Sequence, residues 1–188
     1  MSVLAWVRSA ARHRKTAVTT AVLTVVAASV AVTAGSPAGA VTQATHTGLT
    51  WRVLDQRANG EVHVGGDSLS DAYTGDTPAS ASLPVLCLYV NGSAAPSDIT
   101  PDFYDGWARG WVGLTPAVSG TSLNSRAAAD ALCAANFGAG WREAEFHDGR
   151  YGSGLASAGG WSFWANGAIP SGTRFWTAIS DQPANPWN

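Results

Sequence analysis

Lysine is almost missing from this chain. Lys15 is the only one in 188 residues, which also hold one methionine and two cysteines. Charged residues of all kinds make up 13% of the sequence. Four of the eleven basic side chains (Arg8, Arg12, Arg14 and Lys15) lie in the first fifteen residues, whereas none of the thirteen acidic ones does. Beyond residue 40 the balance is seven against thirteen, a net charge of −6 with no lysine. Nucleic acid and anionic membrane surfaces are therefore excluded as partners, because both are held by clustered Lys and Arg. The catalytic signatures are missing too. There is no Gly-x-Ser-x-Gly, no His-Glu-x-x-His and no glycine-rich phosphate loop after a strand. No cofactor is implied.

The basic start is followed by an apolar, small-residue run from Thr16 to Val32 and by Ala38-Gly39-Ala40. Together they form an export signal with its cleavage pattern. The alternative is a membrane anchor that is retained, but the apolar run is short for a span. The expected organisation is a signal peptide at residues 1–40, a flexible leader at 41–48 and a single domain at 49–188. The mature protein is expected to be secreted. An exported chain with two cysteines suggests one disulfide, Cys87 to Cys133, the alternative being two buried free thiols.

The clearest element runs from Ser125 to Gly138. Ser125 suits an N-cap, Arg126 to Phe137 is alanine-rich without Pro or Gly, and Gly138 suits the stop. Ala129, Leu132, Cys133, Asn136 and Phe137 share helical spacing and are expected on the buried face, with Arg126 and Ala134 away from it. Short strands are expected at residues 49–55, 61–64, 84–90, 111–115, 141–146, 161–165 and 173–180. Ala58-Asn59-Gly60 turns the first pair. Long polar loops fill residues 65–82 and 93–106. One helix among short strands is α+β, with a mostly antiparallel sheet.

Ala127 to Phe137 with its internal cysteine, then Gly138-x-Gly140-Trp141-Arg142, then Phe175-Trp-Thr-Ala-Ile-Ser-Asp-Gln182, resembles the C-type-lectin-like fold, including its endostatin-like and bacterial relatives. The stretch from Gly140 to Gly149 and the tail from Asp181 to Trp187 also resemble exported bacterial proteins. The likeness runs from about Leu114 to Asn188. It implies a lectin-like fold. It does not bring calcium, because Gln182-Pro183-Ala184 lacks the acid that the family's calcium loop carries after proline, and the spacing to Trp187-Asn188 is too short.

Three groups carry candidate chemistry. On a regular strand Glu143, Glu145 and His147 share one face and could do acid–base work or hold a metal. The plainer alternative is a solvated strand face with Asp148 capping the turn. Asp67, Asp71 and Asp76, or Asp98, Asp102 and Asp105, could ligate calcium, but they suit turns better. Trp107, Trp111, Trp161, Trp164, Trp176 and Trp187 are either core or a stacking platform, with Trp107 and Trp187 expected to be exposed. The leading expectation is a non-enzymatic binding domain for an extracellular ligand, glycan or protein. A small hydrolase using Glu143, Glu145 and His147 and a structural cell-envelope protein are the alternatives.

Overall fold

The computed structural model describes residues 46–188. The expected signal peptide, and the expected leader up to residue 45, lie outside the described residues. Thirteen short strands and one α-helix follow in order: β1 (Thr47–Gly48), β2 (Thr50–Gln56), β3 (Glu61–Gly65), β4 (Thr77–Pro78), β5 (Ser82–Leu83), β6 (Leu86–Val90), β7 (Gly106–Leu114), β8 (Val118–Ser119), α1 (Arg126–Phe137), β9 (Arg142–Glu143), β10 (Arg150–Tyr151), β11 (Ser157–Ala158), β12 (Ser162–Asn166) and β13 (Arg174–Trp176). Thr47 and Gly48, the end of the stretch read as a loose leader, pair with β4. Among the described residues no helix is long and apolar enough to cross a membrane.

Nine strands form one sheet, in the order β11-β10-β7-β12-β3-β2-β13, with β6 also pairing β7 and carrying β9 on its other edge. The β2–β3 hairpin turns where expected, with Gly60 at φ 89°, a left-handed position that glycine adopts without Cβ strain. Strand pairing is antiparallel except for β12 against β7. That pair slips in register: Trp164 faces Trp107, yet Asn166 faces Trp111, so β7 carries two extra residues. The bulge centres on Arg109, at φ 59°, and on Gly110. A Cβ on Gly110 would fall 2.0 Å from the Tyr89 carbonyl oxygen, so only glycine lets β6 and β7 close here.

The sheet separates two apolar clusters. Leu86 and Leu88 of β6 point into the larger one, with Trp51, Phe146, Phe163 and Phe175. Cys87 points the opposite way, into a smaller cluster with Trp176, Ala129 and Cys133 under α1. Ser125 caps α1, its Oγ accepting from the Ala128 N–H at 3.2 Å. Gly138 ends it at φ 104°. The helix docks on a narrower stripe than its periodicity implies. Ala129 and Cys133 are buried and Leu132 is half-buried, but Asn136 and Phe137 are exposed. Arg126 and Ala134, expected outside the contact, are half-buried. The cause is that α1 leans on the sheet through its first two turns. Arg126 donates to the Glu143 carbonyl at 2.8 Å and to Asp130 at 3.0 Å, while the last turn overhangs the sheet.

Cys87 and Cys133 form a disulfide, with Cα atoms 5.6 Å apart. It closes a 46-residue separation, for which chain entropy gives ~4 kcal/mol. The double variant Cys87→Ala/Cys133→Ala should lose ~2–4 kcal/mol in urea unfolding, whereas Ala127→Ser on the exposed side should stay within about 0.5 kcal/mol. Equal stability of both variants would show that the bridge does not hold the helix.

Candidate functional site

Glu143, Glu145 and His147 do not share a face. The expected strand at residues 141–146 stops after Glu143, because Asp148 accepts the Glu145 N–H at 2.7 Å and turns the chain. Glu143 stands opposite Cys87 in the β6–β9 ladder and so points beneath α1. It is 0% exposed, and neither carboxylate oxygen has a partner. Its backbone is held firmly: the N–H donates to Asp130 at 2.9 Å, and the carbonyl accepts from Arg126 and Arg142. Burial pushes the Glu143 carboxyl up to about 8, against the opposing pull of Arg126. It is neutral at pH 7 and sealed from any substrate.

Glu145 and His147 do meet, as a clamp. Glu145 Oε2 accepts the His147 N–H at 2.7 Å, and Oε1 lies 3.0 Å from His147 Nδ1. Oε1 also accepts the Ser180 N–H at 2.9 Å and the Ser180 Oγ at 3.0 Å. Burial alone would raise the Glu145 carboxyl, but the bonds from His147 and Ser180 outweigh it and hold it below its usual range. Ser180 donates to Glu145 through both its hydroxyl and its N–H, and His147 holds the other oxygen, so the carboxylate is fully engaged and the trio ties the turn to the tail. Arg142 bridges Asp148 with two bonds and completes the clamp.

Sequence reasoning missed a second trio. His63 Nε2 lies 2.7 Å from Ser162 Oγ and 3.1 Å from Asp105 Oδ1. A catalytic histidine uses its two nitrogens for serine and acid separately. Both partners here crowd one nitrogen, and Ser162 Oγ itself donates to Asp105. The ring stacks on Trp164 at 4.6 Å. Burial lowers the pKa of His63, with Asp105 opposing.

The aspartates work as turn and strand latches. Asp71 accepts from the N–H groups of Tyr73 and Thr74, and Asp102 from those of Tyr104 and Asp105. Asp76 takes the Thr50 N–H and hydroxyl, and Asp67 pairs with Arg174 at 2.9 Å. Burial pushes Asp67 up, but Arg174 wins and holds it low. Among the described residues no three His, Cys, Asp or Glu side chains converge as metal ligands. In the tail, Asn185 is buried and spent on Ile179, accepting from its N–H at 2.9 Å and donating to its carbonyl at 2.8 Å.

The tryptophans separate sharply. Trp107, expected to be exposed, is 0% exposed and donates its indole N–H to the Ser93 carbonyl at 2.9 Å. The loop at residues 93–106 folds back over it, and Ile99 and Trp164 pack beside it. Trp187 is half-buried beside α1 and lines a cleft of about 270 Å³ with Arg126, Gln182 and Asn185. Trp111 is the exposed one, at 49%. It faces Tyr89 across the β6–β7 ladder, on the side of the sheet that carries α1. Tyr89 stacks on Trp141 at 5.8 Å and Trp141 on Phe137 at 4.7 Å, both within 30° of parallel. Phe137 closes the row over Gly113, where an added Cβ would meet its ring at 3.0 Å. The overhanging last turn of α1 thus brings four rings into one surface strip.

Glu143 makes stability depend on pH in a definite direction. Its folded value exceeds the 4.5 of an ordinary glutamate, so only the folded state keeps its proton between the two. Its contribution is complete below pH 4.5 and is lost as pH rises through about 8. The slope approaches roughly 1.4 kcal/mol per pH unit. Glu143→Gln should flatten urea-unfolding stability between pH 5 and 8. An unchanged slope in that variant would place the titration elsewhere.

No protein-family model, curated protein or solved structure matches this chain, so its function is inferred from the geometry of these side chains.

Proposed function

We propose that this is an exported, non-enzymatic binding domain of C-type-lectin-like fold, and that its ligand is a carbohydrate chain of the cell envelope or the extracellular medium. The observation that carries this is the strip Trp111, Tyr89, Trp141 and Phe137. A single exposed aromatic needs no explanation, but a row of four that includes a tryptophan exposed at 49% is the kind of contiguous patch that marks a binding surface. Sugar rings offer apolar C–H faces that stack on indole and phenol, and Tyr89 and Trp141 keep polar edges for hydroxyl groups. The disulfide supports an oxidising compartment. The lectin-like fold is supported by one helix bridged to a mostly antiparallel sheet. A hydrolase is the weaker alternative, because Glu143 is sealed and Glu145 is tied up by His147 and Ser180.

The mature protein should be retained by at least one insoluble or oligomeric glycan among cellulose, chitin and peptidoglycan in pull-down. Trp111→Ala and Tyr89→Ala should each weaken that binding about tenfold by titration, with unfolding curves close to wild type. Retention unchanged in both variants would remove the strip from the binding surface. Steady release of soluble sugar, abolished by Glu145→Gln, would favour the hydrolase.

A further inference from the structure

On the other side of the same strand pair lies a cleft of about 300 Å³ lined by three arginines, Arg109, Arg142 and Arg150. The mature chain has only seven arginines and no lysine, so nearly half its cations converge in one place. One acid, Asp148, shares the cleft. Its two oxygens are taken by Arg142. Arg109 and Arg150 have no carboxylate within 4.0 Å among the described residues. The Arg109 Nε is buried with no hydrogen-bond partner. Two positive charges are thus left unanswered inside a protein whose mature net charge is −6.

Both side chains stand on fixed backbone. Arg109 sits at the β7 bulge, and its carbonyl is pinned by the Asn91 and Gly92 N–H groups at 3.1 and 3.0 Å. Arg150 is locked between β7 and β11, paired with Trp107 on one side and Ala158 on the other. Val90, Ala108 and Leu155 give the cleft apolar walls, which lower the local dielectric and strengthen charge attraction. Guanidinium groups match planar or tetrahedral oxyanions through paired N–H donors.

We propose that this cleft is a binding site for a small oxyanion, carboxylate or phosphate, held between Arg109 and Arg150 with the Arg142–Asp148 pair fixing its floor. It is independent of the aromatic strip, which lies on the opposite face. The group is small enough to be one acidic substituent of a larger ligand, and either oxyanion satisfies the same donors.

The test is titration of the mature protein with sodium phosphate and, separately, sodium glucuronate, followed by amide shifts in two-dimensional NMR. Saturation near ~1 mM is expected for a lone anion. The shifts should centre on Val90, Arg109, Arg150 and Leu155. Arg109→Gln and Arg150→Gln should each weaken binding about tenfold, as loss of a charged hydrogen-bond pair does. Arg52→Gln, remote and paired with Asp67, should bind as wild type. Arg150→Gln alone decides the matter if the bulge variant fails to fold. Saturation by phosphate alone assigns the cleft to phosphoryl groups, and by glucuronate alone to carboxylates. Glucose matching glucuronate at these amides, or neither salt perturbing them, overturns the proposal, as does full binding by Arg150→Gln.

Discussion

Much of this molecule depends on how α1 is held against β6. The helix has few large side chains to bury, since Ala129 and Cys133 are its only fully buried residues. A stripe that narrow yields little hydrophobic free energy, so a covalent tie and a polar latch supplement it. The disulfide fixes the middle of the helix, and Arg126 with Asp130 fixes its start on the backbone of Glu143. With the helix anchored early along its length, its end can overhang. The overhang is what delivers Phe137 to the aromatic strip, while the first turns of the helix lie against Glu143.

The strand pair β6–β7 then serves two surfaces at once. Side chains alternate across a sheet, so Tyr89 and Trp111 face one way while Val90 and Ala108 face the other. The bulge at Arg109 interrupts that alternation and turns a cation into the arginine cleft. Gly110 makes the interruption sterically possible, because β6 lies too close there for any side chain. Backbone strain of the kind Arg109 carries clusters at binding and active sites in proteins generally.

The residue pattern showed some of this and hid the rest. Arg126 to Phe137 was readable because cap, alanines and stop agree. The β2–β3 turn was readable from Asn59-Gly60, and the bridge from there being two cysteines alone. The exposed tryptophan was misplaced because Trp107 was read as lying in a loop ahead of a strand at 111–115, whereas β7 already begins at Gly106 and buries it. Glu143 looked like a partner of Glu145 because a six-residue strand was assumed. A turn held by Asp148 ends it after two residues and sends the carboxyl under the helix. No local pattern distinguishes a buried acid without partners from a solvated one, since the difference lies in the distant helix that covers it.

The pairing of β2 with β13 joins residues more than a hundred positions apart, and Leu49 is bonded on both sides by the tail, donating to Ala184 and accepting from Thr177. Native topology of this kind is slow to form, because the loop must close before any contact rewards it. While the chain is being synthesised, the edge of β2 stays without its neighbour until β13 emerges. A fold so arranged closes late, because β2 and β13, far apart in the chain, complete each other.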